Sequence, residues 1–141
     1  AYNSNNANDD EALKSMARNV NNTANVETEA VSEKNSITVH SIKVVQPDEG
    51  KDDPILHIMA DKLSAQHLAS FDDVETGAIT PIGRGGDFKK EITLIVDEED
   101  SFKNRHIGQL KIYATAANGR RTYKVGNGNV VYEFDITKSS K

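Results

Sequence analysis

Residues 53–71 read DPILHIMADKLSAQHLASF, and the fold turns on whether they form one helix or a pair of strands. Asp53 followed by Pro54 is a helix-start pattern, a capping carboxylate before a first-turn proline. Ala, Leu, Met, Lys and Gln dominate from Met59 to Ala69, and these residue types favour helix. Ile55, Leu56, Met59 and Leu63 share one helical face. Leu68 and Phe71 fall off that face, however, and Ile55 to Ala60 read equally as a short buried strand. The composition favours a helix over residues 54–70. The extended alternative converts the domain into a two-sheet sandwich.

On either side of this stretch the pattern is that of strands. In Ser36 to Val45, Ile37 and Val39 point to one face, and Ile42 and Val44 keep the period of two in the opposite phase. A one-residue slip in such a period predicts a β-bulge near His40 and Ser41. Gln46 to Asp53 is a charged loop. A short strand is expected at Ala78 to Ile82, and Ile92, Leu94 and Val96 alternate in the next. Leu110, Ile112 and Ala114 then alternate, as do Val130, Tyr132, Phe134 and Ile136. Asn118-Gly119 and Gly126 to Asn129 supply residues that accept positive φ between strands. Residues 107–137 are therefore expected to form a three-stranded antiparallel meander with Arg121 to Val125 in the middle. The expected fold is mainly β, an antiparallel sheet or β-sandwich over residues 36–141 with the one helix.

Residues 1–35 differ in character: Asn, Glu, Ser and Ala dominate, and Tyr2 is the only aromatic. Such a segment buries too little apolar surface to offset the entropy of ordering it, so a flexible polar tail is expected. Within it, Leu13, Met16, Ala17 and Val20 fall on one helical stripe behind Asp9 and Asp10. A helix this short is marginal alone and is expected to need a docking surface.

The 141-residue chain carries 17 basic and 22 acidic side chains, a net charge of −5. That balance argues against nucleic acid, whose phosphates call for a concentrated basic face. No apolar run approaches the ~20 residues that a helical membrane span needs. The absence of cysteine removes disulfides, thiolate metal sites and cysteine nucleophiles. An Ala at the first position before a polar leader is read as the trace of signal-peptide removal, although a chain trimmed at its start reads the same way. The expected location is extracytoplasmic: periplasmic, cell surface or secreted.

Candidate chemistry is sparse. Gly83-Arg-Gly-Gly86 is the one glycine-rich stretch, but no Lys-Ser/Thr and no helix pattern follows, so a phosphate cradle is disfavoured. It is expected to be a mobile hairpin tip or binding loop that exposes Arg84. His40, His57, His67 and His106 are at least ten residues apart, which does not match helical metal-ligand spacing. Asp97 to Asp100 lacks the alternating donors and central Gly of a calcium loop. No Gly-x-Ser-x-Gly or paired-carboxylate pattern stands out. No catalytic, cofactor-binding or metal residues are therefore assigned, and no cofactor is expected.

Tyr113, Tyr123, Tyr132 and Phe134 crowd the terminal strands with Arg120, Arg121 and Lys124 among them. Cross-strand packing is the first explanation, and a protein interface the second, since Tyr and Arg are favoured there. The expectation is a non-enzymatic protein-binding or assembly module of a bacterial envelope or surface, with another protein or a copy of itself as partner. The alternatives are an inhibitor or immunity-type protein that occludes its partner, and a small enzyme without a recognisable motif. The residues expected to bind the partner are Leu13, Met16, Arg84, Tyr113, Arg121 and Tyr123.

Overall fold

The computed structural model describes residues 34–47, 50–99 and 104–141. Leu13, Met16 and the rest of the expected N-terminal stripe lie outside the described residues. In chain order the strands are β1 (Asn35–Gln46), β2 (Lys51–Asp52), β3 (Pro54–Ala60), β4 (Gln66–Ser70), β5 (Val74–Glu75), β6 (Ile79–Phe88), β7 (Glu91–Glu99), β8 (Asn104–Tyr113), β9 (Gly119–Gly126) and β10 (Val131–Ser140). They build two four-stranded antiparallel sheets, ordered β6-β1-β10-β9 and β4-β3-β7-β8, with β2 and β5 paired as a small ribbon. The unit they form spans Asn35–Ser140. The mainly antiparallel β architecture matches the expectation.

The two sheets pack through alternating side chains, as a sandwich requires. Ile37, Val39, Ile42 and Val44 of β1 and Tyr132, Phe134 and Ile136 of β10 are buried on one side. Leu56 of β3 and Ile92, Leu94 and Val96 of β7 are buried on the other. The phase slip in β1 is a bulge: Val39 pairs with Ile136 and Ser41 with Asp135, leaving His40 as the extra residue.

The helix expected over 54–70 is absent. Those residues form the β3–β4 hairpin, with Ile55 opposite Ser70 and His57 opposite His67. Asp53 does not cap a helix; its carboxylate accepts the Asp73 N–H at 2.6 Å, and its carbonyl accepts the Glu99 N–H at 2.9 Å. Pro54 takes the first position of a strand, where a missing N–H is tolerated. The hairpin turns through Asp61 (φ 53°) and Lys62 (φ 61°), closed by the Leu63 N–H on the Ala60 carbonyl at 2.9 Å. Two successive positive φ values define a type I′ turn, ordinarily written with Asn-Gly. Here Asp61 is held in place by its surroundings: its carboxylate accepts the N–H groups of Lys90 (2.6 Å), Lys89 (3.0 Å) and Glu91 (3.2 Å) at the β6–β7 turn.

Two further expectations are corrected. The terminal strands are not a three-stranded meander, because β8 belongs to the β3–β7 sheet while β9 and β10 pair in the other. Strands that face each other across a sandwich alternate as hydrogen-bonded neighbours do, so alternation did not reveal the change of sheet. Gly83 to Gly86 is not a hairpin tip but the middle of β6, paired with β1. Gly83, at φ 66°, provides the irregularity that matches the β1 bulge. At Gly85 a Cβ would fall 1.8 Å from the Ile37 carbonyl oxygen, so the two backbones approach too closely for any side chain there.

Candidate functional site

The sandwich has two seams where edge strands of opposite sheets meet, β8 with β9 and β4 with β6. At the β8–β9 seam the absence of a side chain at Gly108 lets Val125 and Gly126 close in; a Cβ there would sit 3.0 Å from Val125 Cγ1. Tyr123 turns inward and packs against the core. Arg121 is exposed and donates from Nη1 to the Ala117 carbonyl at 3.0 Å, while Tyr113, at the end of β8, is 53% exposed. The residues proposed from sequence at this seam thus divide between packing and open surface.

The β4–β6 seam remains open. Arg84 bridges it by donating from Nη1 to the Leu68 carbonyl at 3.0 Å, and a groove lies on either side of that bridge. One, of about 230 Å³, is lined by Ala69, Phe71, Pro81 and Ile82, with His67, Ser70 and Arg84 as its polar members. The other, of about 290 Å³, lies among Ile58, Ala60, Leu63 and the Gly85–Gly86 pair, with Ser64, Gln66 and Asp87 as its polar members. Leu63 is 69% exposed, an unusual placement for a leucine at the tip of a hairpin. Gly86 keeps this second groove open: a Cβ there would come 2.8 Å from Ile58 Cδ1.

The turn that carries Leu63 is positioned electrostatically. Burial by itself raises the Asp61 carboxyl, but the N–H donors of Lys90, Lys89 and Glu91, together with the Lys89 charge, hold it below the usual carboxylate range. One ionised side chain therefore fixes the β3–β4 turn to the β6–β7 turn and sets the end of the groove.

Elsewhere several polar groups pair with one another, although the buried Thr93 Oγ1 has no hydrogen-bond partner among the described residues. On the outer face of the first sheet, Arg120 grips Asp135 with Nε on Oδ1 at 2.9 Å and Nη2 on Oδ2 at 2.6 Å. This fork, chiefly through its hydrogen bonds, lowers the Asp135 carboxyl and raises the guanidinium. His40 Nε2 lies 2.7 Å from Thr137 Oγ1, and His106 Nδ1 lies 2.8 Å from Asp97 Oδ1. The His57 and His67 rings meet edge to face, 5.6 Å apart, on neighbouring strands. Among the described residues, no three His, Asp or Glu side chains converge as a metal site.

Of the residues expected from sequence, then, Arg84 sits in the seam, Tyr113, Arg121 and Tyr123 sit at the opposite one, and Leu13 and Met16 lie outside the described residues. Sequence reasoning missed His67, Phe71, Ile82 and Leu63. Nothing local marks them, since the seam joins segments that are not hydrogen-bonded to each other. The one legible sign was an arginine set among glycines.

No protein-family model and no curated protein matches the chain. Solved structures do resemble it. A C2 domain superimposes with a TM-score of 0.52 at 12% identity, covering 76% of this chain and 98% of its own length. Human GIVD cytosolic phospholipase A2 gives 0.58 at 10% identity over 77% of this chain, which spans only 17% of that enzyme. CC2D1B, which acts in the mitotic reformation of the nuclear envelope, gives 0.55 at 10% identity over 80% of this chain and 57% of its own. The fold is a C2-like β-sandwich. At these identities the likeness concerns the fold alone, and function has to be argued from the site. No helix among the described residues is long and apolar enough to cross a membrane.

Proposed function

We propose that this protein is a non-enzymatic binding module that holds a segment of a partner protein in the β4–β6 seam. The observation that carries the reading is the pair of grooves on either side of the Arg84–Leu68 bridge, with mixed walls (Phe71, Pro81 and Ile82 beside His67 and Ser70; Ile58 and Leu63 beside Gln66 and Asp87) and an exposed guanidinium between them. Concave, mostly apolar surfaces with a few directed polar groups are where proteins bind ligands. Among the described residues, the Arg120–Asp135 and His106–Asp97 groups outside the seam are closed on each other. The C2-like fold is compatible with this use, because it presents loops and strand edges on a rigid frame.

The reading includes work outside the cytoplasm, supported by the Asn- and Ser-rich composition of residues 1–35; fractionation of the native source tests that part. The binding role is tested with a photo-crosslinking residue at Leu63 and another at Lys124 on β9. The Leu63 probe is expected to trap one defined protein, identified by mass spectrometry and reconstituted with the purified chain. Equal trapping from Lys124, or a trapped protein that does not bind when purified, overturns the reading.

A further inference from the structure

We infer that the occupant of the seam is an extended peptide segment with a carboxylate beside an apolar side chain, and that Arg84 reads the carboxylate. The inference rests on the seam being the binding surface and adds what it binds. Arg84 spends one donor on the Leu68 carbonyl, which orients its planar fork while leaving the other N–H groups available. No Asp or Glu pairs with it among the described residues, whereas Arg120 on the outer face is already closed on Asp135. A fixed guanidinium without a carboxylate partner is matched by a bidentate carboxylate. His67 lines the same groove, with its ring edge to face against His57.

The apolar part of the specificity follows from the walls. Ala69, Phe71, Pro81 and Ile82 enclose about 230 Å³ beside Arg84, a space suited to one apolar side chain next to the carboxylate. Beyond the bridge, a second space of about 290 Å³ is lined by Ile58, Ala60 and Leu63 and also by Ser64, Gln66 and Asp87, so an apolar or polar side chain fits there while the carboxylate is read at Arg84. An extended chain fits this layout because β4 and β6 are both edge strands, each with one side unpaired among the described residues. Ligands of that kind are held along a strand edge while pockets take their alternate side chains. Gly85 and Gly86 leave the β6 wall without side chains where such a backbone would pass.

The test is selection of random peptides on the immobilised full chain, followed by titration of the enriched peptides with backbone-amide shifts as readout. The expected peptides carry Asp or Glu next to Leu, Ile, Met or Phe, and shift His67, Ile82 and Gly86. Arg84→Glu is expected to weaken them about tenfold or more and to turn selection towards Lys and Arg. Arg84→Lys, which keeps the charge and loses the fork, is expected to fall between. If shifts stay in the seam but the acidic preference survives Arg84→Glu, this inference fails and the binding seam stands. If shifts map to Tyr113 and Arg121 instead, both fail. If no peptide is enriched, the inference fails; phosphatidylserine vesicles that bind the parent chain and not Arg84→Glu would then assign the guanidinium to lipid.

Discussion

The Tyr132 hydroxyl donates a 2.7 Å hydrogen bond to the Asp52 carboxylate, with both side chains fully buried and 80 residues apart in the chain. The bond ties the start of β10 to the small β2–β5 ribbon. A buried acid far from water is tolerated only where it is hydrogen-bonded. Tyr132→Phe removes this donor at little change of shape. It is expected to lower stability by about 1–3 kcal/mol in urea unfolding, whereas Tyr113→Phe should change it by less than about 0.5 kcal/mol. Equal effects would mean that the buried bond contributes nothing specific.

Asp61 predicts a pH dependence. Its folded carboxyl lies below its ordinary value of 3.8, so its stabilisation is complete above that value and is lost as pH falls through the lower folded value. Asp61→Ala also places a residue less suited to positive φ in the turn. The expected cost at neutral pH is about 1–3 kcal/mol, discounted for partial exposure. The stability of the variant should be flatter than the parent's below pH ~4. Parallel unfolding curves for the two across that range would contradict the clamp.

Much of the sandwich was legible because period-two alternation is a strong signal when one face is buried. The β1 bulge followed from Ile37, Val39, Ile42 and Val44 alone. The β3–β4 hairpin was not legible, and the reason is physical. Its turn uses Asp61-Lys62 rather than Asn-Gly, and the stabilising N–H groups come from residues 89–91, distant in sequence. Asp53-Pro54 imitated a helix start while serving a strand. In the site, Arg84 stood out because glycines flank it, but Phe71 and Ile82 look like ordinary apolar residues until β4 and β6 face each other.

The glycines of β6 separate by mechanism. At Gly85 a Cβ would meet backbone at 1.8 Å, and at Gly86 it would meet only the flexible end of Ile58 at 2.8 Å. Gly85→Ala is expected to cost about 1–3 kcal/mol or more, the range for overpacking, while Gly86→Ala should cost less than ~1 kcal/mol as Ile58 shifts. Thermal unfolding of the two variants side by side checks the order. A reversed order would show that β1 and β6 are not so closely apposed.

The exposed Arg120–Asp135 fork makes a local prediction. Arg120→Ala removes the hydrogen bonds that hold the Asp135 carboxyl down, so its titration midpoint should rise towards the ordinary value. Carboxyl carbon shifts read during a pH titration measure this directly. No movement would mean that the fork does not persist in solution.

The proposed binding role uses the β4–β6 seam and not the aromatic-bearing seam opposite. The most direct measurement is the affinity of the reconstituted partner for Leu63→Glu, set beside Tyr113→Ala and Arg121→Glu. All three positions are exposed, so the fold should be unaffected. The expected loss is about tenfold or more for Leu63→Glu and less than about twofold for the other two. Full affinity in Leu63→Glu together with loss in Tyr113→Ala or Arg121→Glu would contradict it.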